Sequence, residues 1–193
     1  MAVAQKKRSI FSLAEYFRQE EQAPYRSEFY DGEIFAMAGG TANHNLITLN
    51  AAASLKSVLR GTPCKVFVAD MRLLVRRRQL YTYPDVMVIC GRLDYAPGRN
   101  DTVTNPTLIV EVLSPSTEAY DRGKKFEFYR TLDSLKEYVL IDQARMYVER
   151  HRPLGLGRWE MTAFEAPEDV LSLTSVGVDI TLAAIYEQIE LES

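Results

Sequence analysis

Long apolar runs are missing from this chain of 193 residues, although 47% of its residues are hydrophobic. No run approaches the roughly 18 apolar residues that a membrane-spanning helix requires. Near the amino terminus, Glu15, Arg18 and Glu20 interrupt the sequence before the apolar core of a signal peptide could form. We therefore expect a cytoplasmic protein without a membrane partner.

Cysteine is also scarce. The two cysteines, Cys64 and Cys90, lie in apolar strand-like segments and do not form a Cys-x-x-Cys pair. Free cysteine is among the most buried residue types, and disulfides are rare in cytosolic proteins. We therefore expect two buried, reduced thiols instead of a disulfide or a zinc site.

An excess of positive charge is absent as well. The net charge of -3 argues against a protein that binds nucleic acid through bulk basic charge. The charge is uneven, because residues 56–158 carry 18 basic and 12 acidic side chains whereas residues 159–193 carry 8 acidic and no basic ones. Arg72, Arg122 and Lys124 are candidate phosphate contacts in this basic middle, although scattered surface charge explains each of them equally well.

The amino-terminal part predicts a helix, a hairpin and a second helix. Apolar residues recur at helical spacing over about 12–22. Asp31-Gly32 then lies between two strand-like segments and indicates a type I′ hairpin turn. Thr41 suits the cap of a long helix that continues to about Arg60.

A histidine begins the apolar stripe of that second helix. At helical spacing the stripe comprises His44, Ile47, Ala51, Leu55 and Val58. We favour a histidine whose hydrogen bonds are satisfied by the preceding loop, and keep a role in an active site as the alternative.

Strands and two helices account for most of the remaining chain. Apolar patterns predict strands at 64–68, 72–75, 80–83, 86–89, 108–113, 137–141, 146–150, 159–164 and 171–173. A loop of about 16 residues is expected at 91–106. Ser116 or Thr117 suits the cap of a helix to about Leu132, and 180–189 predicts a closing helix. This order indicates a mixed α/β fold in a single domain over 1–193, with 1–8 fraying at its start.

Two acidic residues interrupt otherwise apolar strands. Asp85 opens one of these strands, and Glu111 lies in the middle of the next, 26 positions later. A buried carboxylate is destabilising by several kcal/mol unless it is paired or coordinates a metal. Two acids on neighbouring strands suit Mg²⁺, which prefers a few carboxylate oxygens together with water and phosphate. A buried salt bridge is the alternative for either acid alone.

A lysine on the following helix adds to this pair. At 100° per residue, Lys125 falls on the same stripe as Asp121, Phe128 and Tyr129, whereas Lys124 points away towards solvent. Because lysine is rarely buried, a lysine on an apolar stripe needs an anionic partner. That partner could be a site carboxylate, or it could be Asp121 one helical turn away.

These residues resemble the PD-(D/E)XK nuclease superfamily, and the chain as a whole is similar to the Uma-type family of restriction endonucleases. The resemblance covers about residues 11–189. It rests on Tyr30-Asp31-Gly32-Glu33-Ile34, Met37-Ala38-Gly39-Gly40 with His44-Asn45, Tyr83-Pro84-Asp85-Val86, Leu108 to Thr117, Asp121 with Lys125 and Tyr129, and Glu137 to Asp142.

The resemblance implies a restriction-endonuclease-like core, in which helices flank a central mixed β-sheet. An amino-terminal helix-hairpin-helix extension and additional carboxyl-terminal strands with a helix would complete this fold.

The resemblance also implies a Mg²⁺-dependent or Mn²⁺-dependent endonuclease that acts on DNA, as a homodimer. Asp85 and Glu111 would bind the metal together with the main-chain carbonyl of Val112, and Lys125 would stabilise the attacking water and the developing charge. Supporting contacts would come from Glu33, His44, Asp70 and Asp121. The sequence departs from the usual superfamily pattern at Leu113, where a lysine normally stands.

Two other functional classes stay open at this point. One is a nucleic-acid-binding relative that has lost catalysis, and the other is a structural or interaction protein with a buried ion network. Metal binding and DNA cleavage would separate both of them from a nuclease.

Overall fold

The computed structural model describes residues 10–37 and 39–191, so the predicted fraying of 1–8 lies outside the described residues. Helix α1 (Leu13–Gln22) begins at Ser12, which forms a capping box with Glu15. Strands β1 (Ser27–Tyr30) and β2 (Glu33–Ala36) form the predicted hairpin. Asp31 and Gly32 have φ values of 50° and 77°, as a type I′ turn requires.

Helix α2 (Ala42–Val58) confirms the long helix capped by Thr41, whose hydroxyl accepts the N–H of His44. Its buried face contains Ile47, Ala51 and Leu55. Val58 was expected on this face, but it is 52% exposed, because the buried face continues from Leu55 to Leu59, four residues on, and not to Val58.

The main sheet has six strands in the order β11-β10-β9-β8-β6-β3. The strands are β3 (Cys64–Val68), β6 (Val86–Cys90), β8 (Leu108–Leu113), β9 (Glu137–Asp142), β10 (Val148–Gly155) and β11 (Arg158–Phe164). The sheet is mixed, since β8 and β9 run parallel while the other neighbours are antiparallel. The apolar run of β8 is buried along its whole length and lies near the middle of the sheet.

Both faces of the main sheet are covered. Val86 and Val88 face α2 and the carboxyl-terminal elements, whereas Met87 and Ile89 face the second sheet and contact the cluster that contains Phe128. This confirms the predicted alternation along β6. The fold is therefore the expected mixed α/β arrangement, with helices beside a central mixed sheet.

The second sheet has five strands in the order β2-β1-β5-β4-β7. It includes β4 (Arg72–Val75), β5 (Leu80–Thr82) and β7 (Thr102–Val103). The hairpin therefore joins a sheet and does not form a separate extension. The expected loop at 91–106 is also interrupted, because β7 pairs in parallel with β4.

The helix expected after Thr117 is present but irregular. It comprises α3 (Glu118–Tyr120), a π-helical segment (Asp121–Lys125) and α4 (Phe126–Tyr129). Thr117 has helical backbone angles and provides no side-chain cap; instead, its hydroxyl accepts the N–H of Ser114 at 3.4 Å.

The carboxyl-terminal prediction needs one correction. Strands β12 (Val170–Leu173) and β13 (Val178–Thr181) form a hairpin, and the closing helix α5 (Leu182–Ile185) is short. Ile180 belongs to β13 and not to the helix, because Val178, Ile180 and Leu182 are buried at every second position while the residues between them are exposed.

The two cysteines form a disulfide, which contradicts the expectation of reduced thiols. Cys64 and Cys90 are directly opposite each other on the antiparallel strands β3 and β6. The register of these strands brings them together, and neither local composition nor spacing along the chain reveals it. In the described part of the chain, no helix has the length and hydrophobicity needed to cross a membrane.

Candidate active site

Asp85 and Glu111 meet at the wall of a cavity of about 510 Å³. The pairing of Val86 with Val110 brings their segments side by side. Asp85 immediately precedes β6 and accepts the main-chain N–H of Val112 through Oδ2 at 2.7 Å. Glu111 in turn accepts the N–H of Asp85 through Oε2 at 3.4 Å. Each carboxylate is therefore bonded to the segment that carries the other.

Lys125 is buried between three carboxylates. Its Nζ lies 3.0 Å from Oε1 of Glu111, 3.3 Å from Oδ1 of Asp121 and 3.4 Å from Oε1 of Glu28. The lysine side chain is 7% exposed. Both pairings considered from the sequence are thus present at once. Glu28 is a third partner that the sequence analysis did not identify.

Burial and mutual repulsion perturb the acids around this lysine. Burial raises the pKa of Glu111 to about 8, although the positive charge of Lys125 opposes the shift. Burial also raises the pKa of Asp121. Burial by itself would lower the pKa of Lys125, but Glu111 and its other anionic neighbours raise it well above the ordinary value. Lys125 is therefore protonated at neutral pH. The raised pKa of Glu111 shows that its surroundings would stabilise a further positive charge next to its carboxylate.

His44 faces the site. Its Nε2 lies 3.4 Å from Oδ2 of Asp85, and this hydrogen bond raises the pKa of the imidazole against the effect of burial. On its other side the ring packs against Gly40, where a Cβ atom would lie 2.7 Å from Nδ1. The favoured interpretation, a histidine satisfied by the preceding loop, is therefore wrong, since its polar partner is a site acid.

The donors at this site fit a hard divalent cation. Within residues 10–37 and 39–191, no three His, Cys, Asp or Glu side chains converge as metal ligands. Glu111 is ion-paired with Lys125, and Asp85 accepts a main-chain N–H. The available donors are the oxygens of Asp85 and Glu111 and the carbonyl of Val112, which also contacts His44. Oxygen donors of this kind suit Mg²⁺ and Mn²⁺.

Two predicted supporting residues lie apart from the cavity. Asp70 follows β3 and forms an exposed ion pair with Arg26 at 3.0 Å. Glu33 lies in β2 opposite Tyr30. The structure brings His44 and Asp121 into the cavity wall, so two of the four supporting positions join the site.

The three predicted phosphate contacts differ in accessibility. Arg72 is 4% exposed and donates to the hydroxyl of Tyr83 at 2.7 Å, which is incompatible with a surface phosphate contact. Arg122 is ion-paired with Glu118 at 2.8 Å and also with Glu149. Lys124 is exposed, as predicted, and its Nζ lies 4.5 Å from the ring centre of Tyr30.

The sequence analysis missed two residues of the cavity wall and one contact of Glu111. Gln143, which follows β9, lines the cavity, as does Tyr120 of α3. Tyr129 donates its hydroxyl to Oε1 of Glu111 at 2.8 Å. Helical phase had placed Tyr129 on the stripe of Lys125, but the sequence analysis gave it no role at the site. Gln143 lies in a turn, where no periodic pattern indicates its direction.

The fold is that of a family of nuclease-like proteins. The sequence profile of the Uma2 family, described as "Putative restriction endonuclease", matches residues 13–184, and the chain belongs to this family. An uncharacterized protein of Synechocystis sp. is 44% identical over 153 residues, which cover 79% of this chain and 86% of the relative. A second uncharacterized Synechocystis protein is 36% identical over 177 residues, or 91% and 90% of the two chains.

A solved structure shares the fold. The crystal structure of a putative nuclease belonging to DUF820 from Anabaena variabilis matches with a TM-score of 0.70. The match covers 88% of this chain and 96% of the other, at 18% sequence identity. At this identity the likeness establishes the fold, and the chemistry has to be argued from the residues of this chain.

Proposed function

We propose that this chain is a single nuclease domain that hydrolyses phosphodiester bonds in DNA with the help of Mg²⁺ or Mn²⁺. The observation that carries the proposal is the position of Lys125, a buried cation 3.0 Å from Glu111 in a cavity that Asp85 also lines. An anionic phosphate could enter this open cavity and meet a fixed ammonium group next to two acids.

Asp85, Glu111 and the carbonyl of Val112 would hold the divalent cation. When bound, the cation supplies charge that polarises the phosphate and lowers the pKa of a coordinated water. The hydrogen bond from Val112 to Asp85, at 2.7 Å, fixes one carboxylate before any ligand arrives. His44 orients the same carboxylate from the other side.

Lys125 would act on the reacting atoms. Its Nζ can donate to the water that attacks the phosphorus and to a phosphate oxygen that gains negative charge, while the 3′ oxygen leaves in line. The hydroxyl of Tyr129 donates to Oε1 of Glu111, and the ammonium group forms an ion pair with the same oxygen, which holds that carboxylate in place. Lys124, which is exposed at the surface, is the remaining candidate for a contact with a DNA phosphate.

The direct test is cleavage of plasmid DNA and short oligonucleotides by the purified chain, with Mg²⁺ or with EDTA. Asp85→Asn and Glu111→Gln should each reduce Mg²⁺-dependent cleavage by about 100-fold or more, because each removes a charge that would hold the cation. Asp133→Asn is the matched control, since this acid is 86% exposed and pairs with Arg77. Cleavage that is unchanged in both site variants would refute the assignment.

A buried ion network is the second candidate, and the three carboxylate contacts of Lys125 favour it specifically. These contacts connect β1, β8 and the π-helical segment and could serve stability alone. Calorimetric titration with Mn²⁺ separates the two functions. A nuclease should bind the cation at micromolar to millimolar concentrations and lose this binding in Asp85→Asn, whereas a closed network should release no heat of binding.

A homodimer is part of the proposal, because two sites are needed to cut both strands of a duplex in one encounter. Strand β11 forms one edge of the main sheet and carries Met161, which is 52% exposed. Pairing of two such edges would join two copies. Sedimentation equilibrium should then give a mass near 44 kDa, twice the 22.0 kDa of one chain, and a monomeric mass would contradict this part of the proposal.

A further inference from the structure

One wall of the cavity carries a polar group whose hydrogen bonding is incomplete. Gln143 follows directly after β9 and is 6% exposed. Its Oε1 accepts the hydroxyl of Thr41, but its buried Nε2 has no hydrogen-bond partner among the described residues. An unpaired buried donor is destabilising by about 1–3 kcal/mol, so a partner supplied from the cavity would relieve it.

Gln143 is held firmly in this position. The amide of Asn43 donates to the main-chain carbonyl of Gln143 at 3.3 Å and to that of Glu190 at 2.9 Å. The hydroxyl of Thr41 accepts the N–H of His44 at 3.2 Å and donates its own proton to Oε1 of Gln143. In this arrangement Oε1 of Gln143 meets Thr41, and Nε2 is the free donor.

The carboxamide lies at the amino terminus of α2, a helix of 17 residues. The N–H groups of Ala42 and Asn43 open the helix, where no preceding turn can supply carbonyl acceptors. Such a helix end carries partial positive charge and favours anions. The first turn of α2 contains no acidic residue, so no side chain within that turn neutralises the positive end.

The helix end and the site acids belong to the same cavity. Gly39, Gly40, Thr41 and Gln143 line it together with Asp85. A Cβ atom at Gly39 would meet nothing within 4 Å, so the loop before α2 leaves open space at this end. An anion bound here would therefore lie beside the proposed catalytic groups.

We propose that Gln143 and the first turn of α2 form a phosphate-binding subsite that holds a phosphate of the DNA strand during cleavage. Nε2 of Gln143 would donate to one non-bridging oxygen, and the N–H groups at the start of α2 would donate to another. This subsite rests on the proposed nuclease function, because its ligand is a phosphate of the DNA substrate. Gln143 acts here as a positioning residue for the substrate.

The first experiment is a titration of the full chain with dimethyl phosphate in the presence of Mg²⁺, followed by two-dimensional NMR of the backbone amides. Dimethyl phosphate is the smallest phosphodiester monoanion. The amide signals of Ala42 and Asn43 should shift together with the side-chain amide of Gln143, and their dependence on concentration gives the dissociation constant. Shifts that do not include this helix end would overturn the proposal.

Two variants test the role of the free donor. Gln143→Glu keeps an acceptor for Thr41 but replaces the donor with a negative charge, and Gln143→Met removes the donor without adding charge. Both should weaken dimethyl phosphate binding by about tenfold or more, with the larger loss in Gln143→Glu. Gln22→Glu is the control, because this glutamine is exposed on α1 and its replacement should leave binding unchanged.

Cleavage kinetics separate failure of the subsite from failure of the proposed function. In an oligonucleotide assay, Gln143→Met should raise KM with little change in kcat, because the subsite holds substrate and transition state alike. Normal cleavage by the wild type together with equal dimethyl phosphate binding in wild type and Gln143→Met would overturn the subsite alone. Binding that depends on Gln143 without cleavage of any DNA would refute the nuclease and support the anion subsite.

Discussion

Replacing Lys125 by methionine tests the charge arrangement of the site through stability, without requiring a substrate. The ammonium group lies within 3.4 Å of Glu28, Glu111 and Asp121. Methionine fills similar space but leaves three carboxylates without their shared cation. Removing one partner of a buried ion pair destabilises a protein by about 3–5 kcal/mol. For a domain of this size, that loss lowers Tm by roughly 6–20 °C.

The pH dependence of this effect has a definite sign. Glu111 has a pKa raised to about 8, so its carboxyl group takes up a proton as the pH falls below that value, and Asp121, whose pKa is also raised, follows. The attraction that Lys125 provides is then lost in the wild type as well. The difference in Tm between wild type and Lys125→Met should therefore be largest near pH 9 and become smaller towards pH 5.

Lys124→Met is a matched control, since it removes the same kind of side chain from the neighbouring, exposed position. Surface substitutions usually have small effects, so its Tm should stay within about 2 °C of the wild type. Differential scanning calorimetry at pH 5, 7 and 9 measures all three proteins. Equal losses in Lys124→Met and Lys125→Met, or a loss in Lys125→Met that does not vary with pH, would refute the inferred charge arrangement.

Three further predictions concern groups around the site. Gly40→Ala should reduce cleavage by about tenfold, because its Cβ would lie 2.7 Å from Nδ1 of His44 and displace the imidazole. Gly123→Ala, where the Cβ meets nothing within 4 Å, should cleave normally. The pKa of Glu149 is lowered to about 2 by its imidazole and guanidinium neighbours, so the stability it contributes is present above pH 4.5 and lost as the pH falls to 2. The Tm deficit of Glu149→Gln should therefore shrink over that interval, and a constant deficit would contradict the assignment. Reduction of the disulfide between β3 and β6, which closes a segment of 26 residues, should destabilise the chain by up to about 3.5 kcal/mol, measured as a lower Tm with reductant.

Local patterns predicted the part of the site that lies on regular elements. Glu111 could be located because a single charged residue interrupts the apolar run of β8. Lys125 could be separated from Lys124 by helical phase, even though the segment is π-helical. Helical phase still separates the two lysines in this π-helical segment, because the buried residues Phe128 and Tyr129 fix which side of the segment faces the core.

Contacts between distant segments could not be predicted in this way. Gln143 and Thr41 are 102 residues apart, and the partners of the buried Lys125 include Glu28 on a hairpin strand near the amino terminus. Such contacts depend on how the two sheets and the helices pack. A sequence without aligned relatives carries only indirect information about that packing, because periodicity shows which face of an element is buried and not what covers it.

The charge balance of the cavity favours a ligand-binding site over a closed ion network. Among the described residues, its wall contains the four carboxylates of Glu28, Asp85, Glu111 and Asp121, one lysine and one histidine. Even with both basic groups protonated, negative charge is in excess. A network that served stability alone would gain from matching these charges, since each unmatched buried carboxylate is destabilising. In the proposed function, a divalent cation held by Asp85 and Glu111 would compensate the excess. A phosphate held at the first turn of α2 would then complete the proposed site.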